Sequence, residues 1–337
     1  TNGKYGLDAK YLLCNGPFHV SKWTEKTSVK LAKNNEYNGE SSVSPSSVTF
    51  YINNDDSEVA DKMNSVTYDV AFLSSSQFSS IENKKDLNSV AVQNVTYSFI
   101  FNQNDNNYRN KNMRLAFCRS CDTSSLFDSQ SDISKADGIV PPSCKIGGED
   151  YRNGNAAELL SYDETLAKKN FNDALLDLGS SSVETTILCT EQYEPFVKQM
   201  VQKLQKTLGV KFVSTVKVVS ESDLEAAVND GNYSVAFYPF KAKSSFAGEI
   251  IEGFDQNNIF GYESDVLSQK IRNIKNNSGS LEGERSAVAD AENYLVSEAV
   301  IMPVFYENSY FVTSKKTSGI YFYSSADNVC FINAKKS

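Results

Sequence analysis

Histidine is almost absent from this chain of 337 residues, which contains a single one, His19. Zinc sites built on imidazole need several histidines, so the sequence predicts no histidine-based metal site. A Ser-His-Asp hydrolase would have to use His19, which lies in a predicted strand and has no Gly-x-Ser-x-Gly segment to accompany it. The composition therefore disfavours both a histidine-bound zinc hydrolase and a Ser-His-Asp hydrolase.

Long apolar runs and excess positive charge are also lacking. No segment approaches the length of a membrane-spanning helix, and Thr1 to Lys10 has no apolar core of a signal peptide, although a mature or truncated chain would look the same. Lys and Arg number 33 against 42 Asp and Glu, which gives a net charge of −9. Since binding to phosphates requires clustered Lys and Arg, no nucleic-acid partner is predicted.

Motifs for cofactors and redox chemistry are missing or misplaced. Gly138 and Gly147-Gly148 form neither a phosphate-binding loop nor a dinucleotide fingerprint, so no cofactor is predicted. Cys118 and Cys121 form a Cys-x-x-Cys pair, but they lie late on a predicted helix over 112–121. The negative end of the helix dipole disfavours a thiolate there, so we interpret the two as packed cysteines.

Aromatic residues are abundant at 12% of the chain, and the pattern of predicted elements changes along it. The first third is rich in predicted strands, including a long run over 89–101. The middle alternates helices and strands, with a helix to about 178 that Asp163 caps and Gly179 ends, and an amphipathic helix over 193–208. The end returns to strands, so the order indicates one α/β domain inserted into another, with joints near 120 and 307.

Several short segments, in this order, resemble the peptide/nickel-type solute-binding proteins of ABC transporters. No single segment is specific, but together they span nearly the whole chain. They are Asn15-Gly16-Pro17-Phe18 with Trp23, then Asn34, Tyr37 and Gly39, Phe101-Asn102, Arg114 with Ala116 and Asp122, Gly138 to Pro142, Tyr162-Asp163 with Ala167-Lys168, and Met302-Pro303-Val304.

The resemblance implies an α/β fold of the two-lobed, type II periplasmic-binding-protein kind. On this basis residues 1–119 form the remainder of the first lobe, 120–306 the inserted second lobe, and 307–337 the strands that return to the first. Family members begin with a lipoprotein signal and a further N-terminal region. We therefore expect this chain to be the C-terminal portion of a longer protein, with an incomplete first lobe.

The same resemblance implies a function in capture and not in catalysis. The two lobes would close on a peptide or another small solute, and the closed form would dock on an ABC permease in the membrane. The protein is then expected outside the cytoplasm, lipid-anchored in its full-length form, with no enzymatic activity and no cofactor.

One departure from the family bears on the ligand. Peptide binders carry a Trp and, shortly after it, an Asp that pairs with the α-amino group, whereas this sequence aligns Phe240 and Lys243 with those positions. A lysine would repel an ammonium group and favour a carboxylate. This repulsion argues against binding of free amino termini. The alternative is that Lys243 is a solvated loop residue, which explains the sequence equally well.

The resemblance also implies site residues on neighbouring strands, each with an alternative structural role. Asn102 follows a strand, where it would bind the ligand backbone or stabilise its own loop. Tyr306 would face the cleft or pack within its strand, and Tyr238 shares the strand of Phe240. The loss of the Asp also favours a second hypothesis, a surface interaction or sensing module that kept the fold and lost peptide transport.

Overall fold

The computed structural model describes residues 3–39, 42–52, 56–123, 126–127, 131–323 and 328–337. The chain divides into two compact units, which are described separately. The first comprises Thr1–Val92 and Asn308–Ser337, and the second comprises Gln93–Glu307. Within the described residues we find no helix with the length and apolar character needed to span a bilayer.

Helices and strands are numbered along the chain. Those of the first unit are β1 (Phe18–Thr24), β2 (Ser28–Lys33), β3 (Ser47–Tyr51), α1 (Asp56–Asn64), β4 (Val70–Ser74), α2 (Ser75–Ser80), β5 (Leu87–Val92), β14 (Ser309–Ser314), β15 (Thr317–Ser318), β16 (Tyr321–Tyr323), β17 (Asn328–Cys330) and β18 (Lys335–Lys336). Those of the second are β6 (Val95–Phe101), α3 (Asn106–Arg109), α4 (Lys111–Arg119), β7 (Ile133–Lys135), β8 (Lys145–Ile146), β9 (Glu149–Asp150), α5 (Glu164–Leu178), β10 (Val183–Cys189), α6 (Glu194–Leu208), β11 (Phe212–Val218), α7 (Glu221–Asn229), β12 (Val235–Lys241), α8 (Gly248–Glu252), α9 (Asp265–Asn276), α10 (Leu281–Ser297) and β13 (Ile301–Glu307).

The first unit is built from two small antiparallel sheets and two strand pairs. One sheet has the order β1-β2-β3, and the other has the order β4-β14-β5, so a strand from the end of the chain pairs between two from its start. Helices α1 and α2 cover one face of the second sheet around the buried side chains of Met63, Leu73 and Val312. The sequence over 55–63 predicts a short helix that begins at Asp55, a residue that lies outside the described part of the chain.

The second unit contains a six-stranded mixed sheet in the order β11-β10-β12-β6-β13-β7. Strand β6 lies antiparallel between β12 and β13, and six of its seven residues are buried. One face packs on α4, α5 and α6 around Phe99, Phe117 and Phe237. The other packs on α9 and α10 around Ile271 and Leu295. Apolar cover on both faces makes this sheet the core of the unit.

The predicted run over 89–101 is two strands that belong to different units. Strand β5 ends at Val92 in the first unit, and β6 begins at Val95 in the second. Residues 93–119 therefore lie with the second compact unit, because β6 pairs in the middle of its sheet. The lobe boundaries at 119/120 and 306/307 stay a prediction.

Helix boundaries follow local capping. Helix α5 begins where Asp163 accepts a hydrogen bond from the amide of Leu166, and it ends at Gly179 in the left-handed conformation, as the sequence predicted. In the sequence, Ser222 and Glu225 fit a capping box that would begin a helix before Leu224, and this prediction is wrong. Helix α7 is capped two residues earlier by Ser220, whose hydroxyl accepts from the amide of Asp223.

Candidate functional site

The carboxyl ends of four strands in the second unit lie at one edge of its sheet. Strands β10, β11, β12 and β13 run in the same direction, with β6 between the last two in the opposite direction. In open α/β sheets, ligands bind outside the carboxyl ends of the strands. We call this edge, formed by residues 190–193, 219–223, 241–243 and Glu307, the carboxyl edge.

A polar groove opens at this edge beyond β10 and β11. It is lined by Thr190, Glu191, Gln192, Val218, Val219, Ser220, Glu221 and Asp223. Three of these residues are acidic and none is basic. The Ser220 hydroxyl lies 2.7 Å from Oδ2 of Asp223 and holds that carboxylate against the first turn of α7. The groove therefore offers negative charge to a ligand.

A tyrosine pair positions a carboxylate at the end of β13. The Tyr193 hydroxyl donates to Oε1 of Glu307 at 2.9 Å and accepts from Nε2 of Gln192 at 3.2 Å. The Tyr193 ring packs on Tyr97, with centroids 4.4 Å apart. Burial, followed by the neighbouring Tyr97 and Glu307, raises the pKa of Tyr193, so its phenol stays a neutral donor.

Phe240 and Tyr306 lie on the two strands that flank β6. Both lie opposite Thr96 of β6 in the strand register, from β12 on one side and β13 on the other. The Phe240 ring stacks on Phe254 at 5.7 Å and lies 5.8 Å from Phe260. Its partly exposed ring thus closes an aromatic cluster beside the carboxyl edge.

Tyr306 is buried, and its hydroxyl is engaged within the second unit. It accepts a hydrogen bond from the amide of Asp137 at 3.1 Å and lies 3.4 Å from the carbonyl of Gly138. Burial is the main cause that raises the pKa of this tyrosine. Tyr238 is half-buried two residues before Phe240, and the two rings lie 5.7 Å apart.

Lys243 lies in the loop directly after β12 and is exposed. Three of the five predicted residues thus lie on strands that end at the carboxyl edge, namely Tyr238, Phe240 and Tyr306. A fourth, Lys243, lies in the loop after one of these strands.

Asn102 lies at the opposite edge of the same sheet. It follows the end of β6, whose Phe101 pairs with Val235 at the start of β12. Val235 and Phe240 are five positions apart along β12, which corresponds to about 16 Å. The Asn102 amide nitrogen donates to the carbonyls of Gly231 and Tyr233, both at 2.8 Å, and its oxygen accepts from the amide of Asn104 at 3.0 Å.

The predicted arrangement, with Asn102 on one lobe opposite the loop after Phe240 on the other, is therefore not found, because both residues belong to the second unit. The ligand-binding roles of the five residues stay a prediction. Sequence reasoning missed Glu307, Tyr193 and the acidic groove. Each of them lies at or just after the end of a predicted strand. That position points to a shared site only once the order and direction of the strands are known.

Metal-binding groups of three or more His, Cys, Asp or Glu side chains do not occur in the described parts of the chain. Cys118 and Cys121 are both buried, and helix α4 ends at Arg119, before the second of them. Burial raises the pKa of each thiol to about 12.

The chain shares its fold with solved substrate-binding proteins. The chain resembles the oligopeptide ABC transporter substrate-binding domain of Bacillus anthracis str. Ames with a TM-score of 0.78 at 17% identity, over 99% of this chain and 67% of that one. Listeria monocytogenes OppA bound to peptide gives a TM-score of 0.77 at 20% identity, with 99% and 67% covered. The predicted α/β fold of two-lobed, type II binding proteins is confirmed by these likenesses.

Sequence comparison identifies the family. Residues 1–260 match the family described as "Bacterial extracellular solute-binding proteins, family 5 Middle", and the chain belongs to that family. It is 22% identical over 327 residues to the dipeptide-binding protein DppE of Bacillus subtilis (strain 168), covering 95% of this chain. The chain spans 60% of the length of that curated relative. The family is one of solute-binding proteins and not of enzymes, as predicted.

Proposed function

We propose that the full-length protein captures a peptide or another small solute outside the cytoplasm and delivers it to an ABC permease. The observation that carries this proposal is the family match over residues 1–260. The fold supports it, since OppA of Listeria monocytogenes was solved with a peptide bound on the same architecture. A location outside the cytoplasm and anchoring by lipid are part of the proposal.

Ligand contact in the second unit occurs at the carboxyl edge. Phe240 supplies an apolar surface there, and Lys243 supplies an exposed positive charge two residues after the end of β12. The groove with Glu191, Glu221 and Asp223 supplies negative charge at the same edge. A ligand with groups of both signs, such as a peptide, fits this distribution better than a neutral sugar.

Titration calorimetry of the full-length protein tests the proposal. The ligands are peptides with free or acetylated amino termini, peptides with extra acidic residues, and sugars. The proposal expects a peptide to bind and sugars to give no heat. Failure of every peptide, with a sugar binding in their place, would exclude peptide capture.

The role of Lys243 is tested separately. A charge-assisted hydrogen bond contributes about 1.5–3 kcal/mol, so Lys243→Ala should weaken a ligand carboxylate roughly ten- to hundredfold. Lys243→Asp should improve binding of free amino termini. Lys211→Ala, at an exposed lysine before β11, is the control. Equal affinities for all variants would show that Lys243 is a surface residue only.

A sensing module that has lost transport is the second candidate function. It is favoured by the exposed Lys243 at the position where the family resemblance predicts an acid. Uptake of the bound ligand by cells with and without the intact gene separates the two functions. Binding without any dependence of uptake on the gene would support sensing.

A further inference from the structure

A cavity of about 200 Å³ lies inside the second unit, away from the carboxyl-edge groove. Helix α4, strand β13 and the segment 159–162 form its walls. Three sulfur side chains lie in this lining, those of Cys118, Cys121 and Met302. Capture of a solute at the carboxyl edge uses none of them.

The helix geometry places the two cysteines on one side. They are three residues apart, and at about 100° per residue their side chains point about 60° from each other around the helix axis. The turn continues past the last helical residue, because Ser120 keeps a right-handed helical conformation and its amide bonds the carbonyl of Phe117. Cys118 is 2% exposed and Cys121 is 3% exposed.

Met302 approaches from the sheet. It lies opposite Phe99 in the strand register, and it packs against the same apolar cluster that contains both cysteines. A thioether is a soft, flexible donor that adapts to its partner. Two thiols at a helix end and one thioether on the facing strand therefore border one cavity.

Charged side chains of both signs lie near the two thiols. The guanidinium of Arg114, one helical turn before Cys118, is buried and donates to the carbonyls of Tyr108, Arg109, Glu298 and Ala299. Burial is the largest influence on both thiols and raises the pKa of each, whereas the charges of Arg114 and Arg119 favour the thiolate form of Cys118. At Cys121 the charge of Lys203 favours the thiolate and that of Asp122 opposes it. A cation that bonds the two sulfurs takes the place of their protons.

We propose that Cys118, Cys121 and Met302 bind one Cu(I) ion in this cavity. Each thiol releases its proton as its sulfur bonds the ion, the thioether bonds without losing a proton, and no electron is transferred. Thiolate and thioether donors select Cu(I), whereas structural zinc takes four ligands, commonly including histidine. The resulting complex has one net negative charge, which the buried Arg114 offsets.

The test uses the full chain, reduced and without oxygen, in a Cys14→Ser/Cys330→Ser background that removes the more exposed thiols. Cu(I) bound to bicinchoninate is titrated with protein, and the loss of its colour reports transfer of the ion. One ion should move per chain. Cys118→Ser and Cys121→Ser should each weaken binding roughly a hundredfold, and Met302→Leu roughly tenfold, the range that changes around a metal site produce.

Two buried cysteines elsewhere in the second unit, Cys144 and Cys189, provide matched controls, and serine at either should leave Cu(I) affinity unchanged. X-ray absorption of the loaded protein, which needs no variant, should show sulfur-only coordination. The proposal is overturned if the reduced protein takes no ion from bicinchoninate, or if the control variants lose as much affinity as Cys118→Ser. Disulfide formation between the two cysteines, without Cu(I) binding after reduction, would also overturn it.

Discussion

Glu292 lies buried on helix α10, and its carboxylate accepts hydrogen bonds from several elements of the second unit. The amides of Ile139 and Val140 donate to Oε1 at 2.6 and 2.9 Å, and the Tyr151 hydroxyl donates to Oε2 at 3.1 Å. Arg152 completes the set as a buried ion pair. One carboxylate thus holds the loop around 138–140 against α10.

Removing that charge should destabilise the protein. Glu292→Gln leaves the Arg152 guanidinium buried without its counter-charge, and breaking such a pair costs roughly 3–5 kcal/mol. Urea denaturation followed by circular dichroism measures the change in the free energy of unfolding. Asp290→Asn, on the same helix, breaks an exposed pair with Lys270 and should cost about 1 kcal/mol or less. Equal costs for the two variants would contradict this role of Glu292.

Removing a buried hydroxyl from β6 should instead raise the free energy of unfolding. The Thr96 and Ser98 hydroxyls are buried and have no hydrogen-bond partner among the described residues. Thr96→Val keeps the shape and removes the buried polar atom, so it should raise the free energy of unfolding by about 1 kcal/mol. Thr185→Val is the control, because the Thr185 hydroxyl lies 2.8 Å from that of Tyr108 and its loss should destabilise. A loss of stability in Thr96→Val would show that this hydroxyl has a partner.

Helix α5 ends at Gly179, where the backbone conformation decides how much stability a substitution costs. Gly179 has a φ of 62°, and a methyl group added there would meet nothing within 4 Å. Gly179→Ala should therefore cost about 1 kcal/mol through the left-handed backbone alone. Gly179→Asn should cost less, because asparagine tolerates this conformation better. Thermal unfolding of the two variants measures the difference, and an Ala variant as stable as the Asn variant would contradict the assignment.

For the whole chain, buried tyrosines predict a loss of stability in alkali. Burial is the main cause that raises the pKa of eight tyrosines above 10.0, all in the second unit: Tyr97, Tyr108, Tyr151, Tyr193, Tyr233, Tyr238, Tyr262 and Tyr306. Above pH 10 the unfolded chain loses these protons and the folded chain keeps them. The unfolded state then binds fewer protons, so stability falls as pH rises.

Unfolding free energies measured from pH 8 to about pH 11 should thus stay level and then decline steeply. Tyrosinate absorbance should rise together with unfolding. Tyr233→Phe removes one buried phenol that has no hydrogen-bond partner among the described residues, and it should make the decline shallower. A decline of the same steepness in that variant would show that Tyr233 takes no part.

Local patterns by themselves determined the helices and the family. The Asp163 and Gly179 signals predicted α5, and the amphipathic pattern over 193–208 predicted α6, because capping and amphipathicity act within a few residues. The order of short motifs identified the solute-binding family, and the charge and the single histidine argued against other classes.

Only the tertiary structure decided which residues meet. In the run over 89–101 only the two polar residues Gln93-Asn94 separate β5 from β6, and the division of the run between two sheets depends on which strands each part pairs with. Asn102 and Phe240 both follow or end strands in the sequence, yet the antiparallel direction of β6 places them at opposite edges. Strand order and direction arise from contacts between residues far apart in the chain, and local periodicity does not contain them.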